Sequence, residues 1–267
     1  MYMMKKQMLD LTVRQVVHLH ERYVLLRLTD EHPLPEMRPG QFVEVRIDDS
    51  AATFLRRPIS INFVDRENNE LWLLVAVVGD GTRRMSRLEA GATLNCVLPL
   101  GNGWSFNGHE RGAGADGRFR PLLVGGGVGV APLLFLGAEM VRQGVQPTFL
   151  LGARSRGDLL LPDEFRRYGR LLVTTEDGTE GVRGFVTDHP VLGEEVFDRI
   201  YSCGPTPMMK AVARFARRTD TGCEVSLENM MACGVGACLC CVQKTTEGNL
   251  CVCKDGPVFD IRKLEGV

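Results

Sequence analysis

The chain has 267 residues, of which 44% are hydrophobic and 24% charged, as in an ordinary globular protein with room for two domains. Its formal net charge of −1 favours no nucleic-acid partner. The longest apolar run, residues 128–138, is too short to cross a bilayer, and the N-terminus lacks the apolar run of a signal peptide. With its free, clustered cysteines, the protein is expected in the cytoplasm, without a membrane.

The first hundred residues indicate an antiparallel β-barrel. Short β-rich runs are separated by proline, glycine and asparagine turn signals. They predict strands at residues 11–17, 23–28, 41–47, 59–63, 71–78 and 93–98. One short helix is predicted over 82–88. Six short strands with frequent turns are typical of a barrel.

Two short motifs in this barrel suit phosphate. The run Arg57-Pro58-Ile59-Ser60 offers a guanidinium fork that matches phosphate oxygens. The turn Gly81-Thr82 opens a helix whose N–H groups can take an anion. A strand start with a surface arginine pair and an ordinary helix cap explain the same residues, so each motif alone leaves a structural role open.

The second half of the chain indicates a parallel sheet with helices on its faces. It follows a glycine-rich linker at 105–120. Strands are predicted at 121–124, 148–152, 171–175 and 199–203. They alternate with helices at 131–142, 162–168 and 205–217 and a helical turn at 187–192. This alternation is typical of α/β domains.

Two glycine-bearing turns follow strands of this sheet. The first contains Gly125, Gly126, Gly127 and Gly129, and turns of this kind cradle a pyrophosphate at a helix N-terminus. Val130 occupies the sixth place, so the G-x-G-x-x-G pattern is not met. The second turn is Cys203-Gly204-Pro205, at a strand's carboxyl end, where open α/β sheets bind ligands. Cys203 is equally expected as a small buried hydrophobe.

Cysteines are concentrated near the end of the chain. Cys233, Cys238 and Cys241 have the spacing C-x4-C-x2-C, and Cys253 supplies a fourth thiol, which is the plant-type ferredoxin pattern for a [2Fe–2S] cluster. Zinc is the alternative, although only Cys238 and Cys241 have the C-x2-C spacing of structural zinc sites. Cys251 competes with Cys253 for the fourth position.

Taken in order, these motifs resemble the ferredoxin–NADP reductase superfamily along nearly the whole chain. Residues 228–238 and the run 252–259, VCKDGPVF, are similar to the electron-transfer subunits of NAD-dependent dihydroorotate dehydrogenases. In that family the cysteine of this second motif is the fourth ligand, which favours Cys253. The gap from Cys241 to Cys253 is short, and the linker is expanded.

The resemblance implies a division into an FAD-binding barrel at 1–104, a linker at 105–120, an NAD-binding α/β domain at 121–222 and a [2Fe–2S] subdomain at 223–267. It implies flavin contacts from residues 57–60, from Leu74, Val75 and Ala76, and from Gly81 and Thr82. It also implies a partner, an FMN-containing catalytic subunit, in a heterotetramer with two copies of each chain. Cys203 is expected where the nicotinamide meets the flavin, in a positioning role.

The physical logic of the three cofactors is consistent with this family. A nicotinamide moves two electrons as hydride and a cluster moves one, so a flavin is needed between them. The chain shows no convincing nucleophile–base pair for substrate chemistry, which indicates a partner. Four apolar residues near the cysteines are expected to contact that partner or to pack on the barrel, namely Met230, Met231, Val235 and Leu239. Three alternatives remain for the function. They are a stand-alone NAD(P)H reductase, a subunit of another complex, and a zinc-binding or redox-sensing module without turnover.

Overall fold

The computed structural model describes residues 5–48, 50, 53–106 and 117–266. The chain forms two compact units, and each is built from separate stretches of sequence. The first comprises Met1–Gly103, Glu228–Gln243 and Asn249–Pro257, and the second comprises Trp104–Leu227, Lys244–Gly248 and Val258–Val267. Most of the predicted linker, residues 107–116, lies outside the described residues. The domain boundaries given above stay a prediction.

Six antiparallel strands close a barrel in the first unit, in the order β1-β2-β5-β4-β3-β6. Alternation of buried and exposed side chains explains why these segments form strands, as in β1, where buried Leu11 and Val13 flank exposed Thr12. The predicted antiparallel barrel is confirmed. The strands are β1 Gln7–His20, β2 Tyr23–Thr29, β3 Phe42–Val45, β4 Arg57–Asp65, β5 Glu70–Ala76 and β6 Thr93–Leu100.

One short helix, α1 at Asp80–Met85, connects β5 to β6. The Thr82 hydroxyl accepts the N–H groups of Val78 and Gly79 at 3.0 and 3.1 Å and fixes the start of the helix. The predicted bounds of 82–88 are wrong at both ends. The cap at Gly79 starts the helix earlier, and after Met85 the chain continues in tighter turns with bonds three residues apart.

The second unit contains a seven-stranded sheet in the order β10-β9-β8-β7-β11-β12-β15. All neighbouring strands are parallel except β12 and β15. The predicted parallel sheet with alternating helices is confirmed, and no helix in the described ranges is long and apolar enough to cross a membrane. The strands are β7 Pro121–Gly126, β8 Thr148–Ala153, β9 Arg170–Thr175, β10 Val182–Arg183, β11 Arg199–Cys203, β12 Gly222–Ser226 and β15 Val258–Asp260, and the helices are α2 Ala131–Arg142, α3 Pro162–Tyr168, α4 Val191–Glu194 and α5 Thr206–Arg218.

The strand order of this sheet reverses at β7. The chain continues from β7 to β8 and β9 on one side, and returns to β11 on the other. Gly125 of β7 is in register with Cys203 of β11, so the two glycine-bearing turns lie side by side at the carboxyl edge. Such a reversal creates the crevice in which open α/β sheets bind their ligands.

The cysteine-rich part of the chain has little regular structure. Residues 227–241 contain neither helix nor strand, and a hairpin of β13 Val242–Thr245 and β14 Gly248–Cys251 follows. The stretch after the hairpin is tied to the end of the barrel. Asn102 N–H donates to the Gly256 carbonyl at 2.6 Å, and the Asn102 side-chain amide donates to the Lys254 carbonyl at 3.0 Å.

Candidate functional site

The loop that carries Cys233 lies tightly against the barrel within the first unit. Gly234 and Gly236 have φ angles of +66° and +85°, which glycine adopts without strain. A β-carbon placed on Gly234 would lie 2.6 Å from Cγ of Glu44 in strand β3. Glycine at position 234 therefore allows the cysteine loop to pack directly on the barrel wall.

Backbone N–H groups of this loop point at the thiols. The N–H groups of Val235 and Ala237 donate to the Cys233 sulfur at 3.4 and 3.3 Å. The Gly236 N–H donates to the Cys253 sulfur at 3.1 Å, although the two residues are far apart in sequence. Donors aimed at sulfur stabilise the thiolate, the form in which cysteine binds iron.

The four thiols lie in two pairs. Cys238 lies close enough to Cys233 to lower the pKa of that thiol, and Cys241 lies close enough to Cys253 to raise the pKa of Cys253. The Cys241 sulfur also accepts the Cys253 N–H at 3.3 Å. Burial acts to raise the pKa of Cys233, but the N–H groups of the loop outweigh it and lower that pKa to about 6. Burial, with the neighbouring Cys241, raises the pKa of Cys253 to about 12.

This donor set fits an iron–sulfur cluster with two irons. A [2Fe–2S] cluster is held by four cysteine thiolates, and the two pairs would supply them.

The two surplus cysteines differ from these four. Cys240 is exposed, and Cys251 ends strand β14 in a buried position. The Cys251 N–H donates to the Asp255 carboxylate at 2.7 Å, and its carbonyl accepts the Asp255 N–H at 2.7 Å. Among the described residues, no hydrogen bond joins either surplus thiol to the two pairs. The structure brings Cys253, and not Cys251, within hydrogen-bonding distance of the loop.

Glu44 is a buried acid beneath the cysteine loop. Its side chain is 1% exposed, and neither carboxyl oxygen has a hydrogen-bond partner among the described residues. Burial raises the pKa of Glu44 from 4.5 to about 7. The positive charge of Arg56 opposes this rise, and the negative charge of a Cys233 thiolate adds to it. The sequence did not single out Glu44, because a lone glutamate in a strand is usually exposed.

The two phosphate motifs of the barrel meet in space. A β-carbon placed on Gly81 would lie 3.0 Å from Nε of Arg57, so the start of α1 lies directly against the guanidinium stem. Thr82, next to Gly81, is buried and holds the turn through its hydroxyl. A guanidinium beside a backbone turn can bind a phosphate through two kinds of donor.

The two adjacent arginines have different environments. Arg56 is bound to the barrel: its Nη1 donates to the carbonyls of Glu44 and Asn95 at 3.2 and 3.1 Å. Arg57 donates to the Leu55 carbonyl at 2.7 Å from Nη1 and contacts Gly81 with its Nε. Arg56 therefore stabilises the barrel through its hydrogen bonds, and Arg57 is the arginine that could hold a diphosphate.

The remaining predicted flavin residues lie on two barrel strands. Pro58, Ile59 and Ser60 are half-buried in β4, opposite Glu44, Val43 and Phe42 of β3. Residues 74–76 end strand β5, where Leu74 and Val75 are 2% and 0% exposed. Their side chains are buried, so this stretch could contact a flavin through its backbone.

The glycines of the second unit bring two turns into direct backbone contact. A β-carbon on Gly129 would lie 2.4 Å from Cα of Gly204, and one on Gly204 would lie 3.0 Å from the nitrogen and oxygen of Gly126. Gly125 is also closely packed, and Gly127 has a φ of +55°. The two turns and the nearby starts of α2 and α5 form a surface with backbone N–H groups, which suits a diphosphate.

Cys203 ends strand β11 at the same place. Its side chain is 1% exposed, and its backbone is in register with Gly125. Pro205 follows Gly204 and precedes α5. Cys203 thus lies beneath the crevice rather than open within it, and its role toward a nicotinamide stays a prediction.

Two family models match the chain. The iron-sulfur cluster binding domain of dihydroorotate dehydrogenase B matches residues 228–265, and the oxidoreductase NAD-binding domain matches residues 123–214. Together they include all four paired cysteines and both turns of the crevice.

Curated relatives match over nearly the full length. Dihydroorotate dehydrogenase B (NAD(+)), electron transfer subunit, from Shouchella clausii is 38% identical over 268 residues, which is 98% of this chain and 99% of the relative. The protein of the same name from Fusobacterium nucleatum is 37% identical over 256 residues, which is 94% of this chain and 95% of the relative.

Solved structures share the fold. A chain from the NADH-dependent reduced ferredoxin-NADP oxidoreductase, described in connection with flavin-based electron bifurcation, has a TM-score of 0.84 and 31% identity, covering 96% of this chain and 89% of its own. A ferredoxin NADP+ reductase from Neisseria gonorrhoeae has a TM-score of 0.64 and 15% identity, covering 79% of this chain and 91% of its own. The second likeness concerns the fold alone.

Proposed function

The chain belongs to the family of the electron transfer subunits of NAD(+)-dependent dihydroorotate dehydrogenase B, and we propose that it passes electrons from a dihydroorotate-oxidising subunit to NAD+. The path runs through a [2Fe–2S] cluster and FAD, within pyrimidine (UMP) biosynthesis. A bound flavin exchanges hydride with nicotinamide and single electrons with a cluster, so it links the two ends. The residues of this chain bind and orient these groups.

Cys233, Cys238, Cys241 and Cys253 hold the cluster in this proposal. The N–H donors of the loop and the low pKa of Cys233 support thiolate ligation before iron arrives. The contact of Gly236 with Cys253 supports Cys253 as the fourth ligand. Cys240 and Cys251 are not ligands.

FAD is held by the barrel. Arg57 binds its diphosphate together with the turn at Gly81 and Thr82, and Pro58, Ile59 and Ser60 present the strand that faces the flavin. The backbone of residues 74–76 contributes the remaining contacts. The approach of Arg57 to Gly81 supports this assignment.

NAD is held in the crevice at the carboxyl edge of the second unit. Its diphosphate lies against Gly125, Gly126, Gly127 and Gly129 of the first turn and against Gly204 and Pro205 of the second. The register of Gly125 with Cys203 supports a single site built from both turns. Cys203 shapes the floor of that site and positions the nicotinamide without forming a covalent bond to it.

The partner is an FMN-containing catalytic subunit in the cytoplasm, with two copies of each chain in the complex. Exposed apolar side chains around the cluster loop support an interface there: Met230 is 86% exposed and Leu239 63%. Val235 is 40% exposed, and Met231 is half-buried. Apolar side chains left open beside an electron-transfer site are suited to contact with another protein.

A second candidate is the equivalent subunit of a different NADH-linked electron-transfer complex. The 31% identity to the chain from the reduced ferredoxin-NADP oxidoreductase favours it, because that likeness also covers 96% of this chain. Both candidates require the same cofactors and differ in the partner.

The proposal rests mainly on one observation. The two pairs of cysteine thiols pack against the barrel that contains Arg57 and Gly81. Purified with its cofactors and mixed rapidly with NADH, the chain should lose flavin absorbance first and cluster absorbance afterwards. Cys238→Ser should retain the flavin phase and lose the cluster phase. A purified chain that binds zinc and no flavin, and does not react with NADH, would refute the proposal in favour of a binding module.

A further inference from the structure

One side chain covers the glycine surface of the crevice in the second unit. A β-carbon placed on Gly126 would lie 2.7 Å from Sδ of Met208, and one placed on Gly204 would lie 2.7 Å from Cε of the same residue. Pro205 Cδ lies near the Gly126 position as well, at 3.2 Å. Met208 is half-buried in the first turn of α5, and its thioether spans both turns.

The faces that Met208 covers are those that a dinucleotide needs. Glycine in such a turn lets a diphosphate approach the backbone and the helix N-termini closely. Gly129 does not take part in this, because its missing side chain leaves room for the backbone of Gly204. The missing side chain of Gly204 leaves room for the Gly126 backbone as well as for the Met208 methyl group, whereas the atoms nearest the Gly126 position belong to the side chains of Met208 and Pro205. Gly126 is thus the glycine whose open face a ligand and the Met208 thioether would both occupy.

A methionine side chain can be displaced from these glycines at little energetic cost. Its side chain is uncharged, has three rotatable bonds and is held mainly by dispersion contacts, each of them small. The next residue provides a contrast within the same helix. Met209 is 5% exposed, and its side chain belongs to the core of the second unit.

We propose that Met208 is a displaceable cover of the nucleotide crevice, which moves off Gly126 and Gly204 when the dinucleotide binds and thereby limits its affinity. This inference rests on the proposed assignment of the crevice to NAD. Part of the intrinsic binding free energy is used to expel the thioether, so the measured affinity is lower than that of an open crevice. Met208 acts through the backbone surface that it covers and is a positioning residue.

The direct test follows the methyl groups of the full chain with its FAD and cluster in the oxidised state. The methionines are labelled with 13C at Cε, the Met208 signal is assigned by its absence in Met208→Leu, and NAD+ is added to saturation. The Met208 signal should shift with the same concentration dependence as binding. The Met209 signal is the matched control and should stay in place.

Affinity provides the second measurement. Met208→Ala removes the cover and should bind NAD+ roughly three- to tenfold more tightly, as expected for the loss of several dispersion contacts. Met208→Leu keeps a similar volume and should remain within about twofold of the wild type.

Two results would overturn the inference while leaving the assignment of the crevice intact. One is saturable NAD+ binding with an unmoved Met208 methyl signal. The other is weaker NAD+ binding by Met208→Ala, which would mean that the thioether holds the nucleotide. A wild-type chain that shows no saturable NAD+ binding would overturn the assignment of the crevice and this inference together.

Discussion

Glu44 allows the energetics of the barrel wall to be tested by a single substitution. Its carboxyl group is buried without a hydrogen-bond partner among the described residues, and burial raises its pKa from 4.5 to about 7. The folded chain therefore holds this proton more tightly than the unfolded chain. Stability is unaffected by the group below about pH 4.5, falls as the pH rises toward 7, and stays low above that.

The size of this effect follows from the same pKa. Each pH unit between 4.5 and about 7 removes up to about 1.4 kcal/mol, or about 3 kcal/mol in total. Structural relaxation and water penetration around a buried charge reduce this to about 2 kcal/mol. Glu44→Gln keeps the shape and cannot ionise, so it should exceed the wild type in free energy of unfolding by about 2 kcal/mol at pH 8. At pH 5 the two proteins should be nearly equal.

Urea unfolding of the cluster-free chain at pH 5 and pH 8 measures this difference. The chain has two tryptophans, Trp72 in the first unit and Trp104 in the second, so a Trp104→Phe background makes fluorescence report the barrel. A bound cluster is negatively charged and would raise the pKa of Glu44 further, which leaves the sign unchanged.

A second buried glutamate is the matched control. Glu224 is 6% exposed but pairs with Arg199 at 3.0 Å and accepts the Ser105 N–H at 3.1 Å. Glu224→Gln, followed through Trp104, should lose stability at both pH values. If Glu44→Gln gains no more stability at pH 8 than at pH 5, the reasoning from burial of an unpartnered acid is refuted.

Three further predictions concern the cofactors and the partner. Cys253→Ser should lose iron and cluster absorbance while Cys251→Ser keeps both, and the reverse pattern would reassign the fourth ligand. Arg57→Ala should weaken FAD binding by roughly tenfold or more, or about 1.5–3 kcal/mol. The control Arg56→Ala should instead lower the melting temperature of the protein. Full FAD content in a dilute solution of Arg57→Ala would contradict this prediction. Leu239→Asp should weaken assembly with the FMN subunit, measured by size-exclusion chromatography, without slowing FAD reduction by NADH, and unaltered assembly would place the interface elsewhere.

Local patterns were sufficient to predict most of the fold. The barrel follows from alternation of buried and exposed residues, and α2, α3 and β11 begin and end where glycine, proline and apolar runs indicate. The strand β12 and the three-residue β15 were not predicted. Their antiparallel pairing at the sheet edge brings together residues more than thirty positions apart, which a local pattern does not encode.

Residue type and spacing were sufficient to single out the four cysteines whose thiols the structure brings together in pairs. The environments of Arg56 and Arg57 could not be separated, because the carbonyl partners of Arg56 come from other strands of the barrel. Glu44 was missed because the loop that covers it follows almost two hundred residues later. Met208 was missed because a methionine in an amphipathic helix is usually a core residue.

The measurement that tests the central claim most directly is dihydroorotate-driven reduction of NAD+ by this chain mixed with the FMN-containing catalytic subunit. We predict NADH formation only when both chains are present, and its loss in Cys238→Ser even though that variant still oxidises NADH at its flavin. NADH formation that persists in Cys238→Ser, or a mixture of both intact chains that forms none, would contradict the proposed path of electrons.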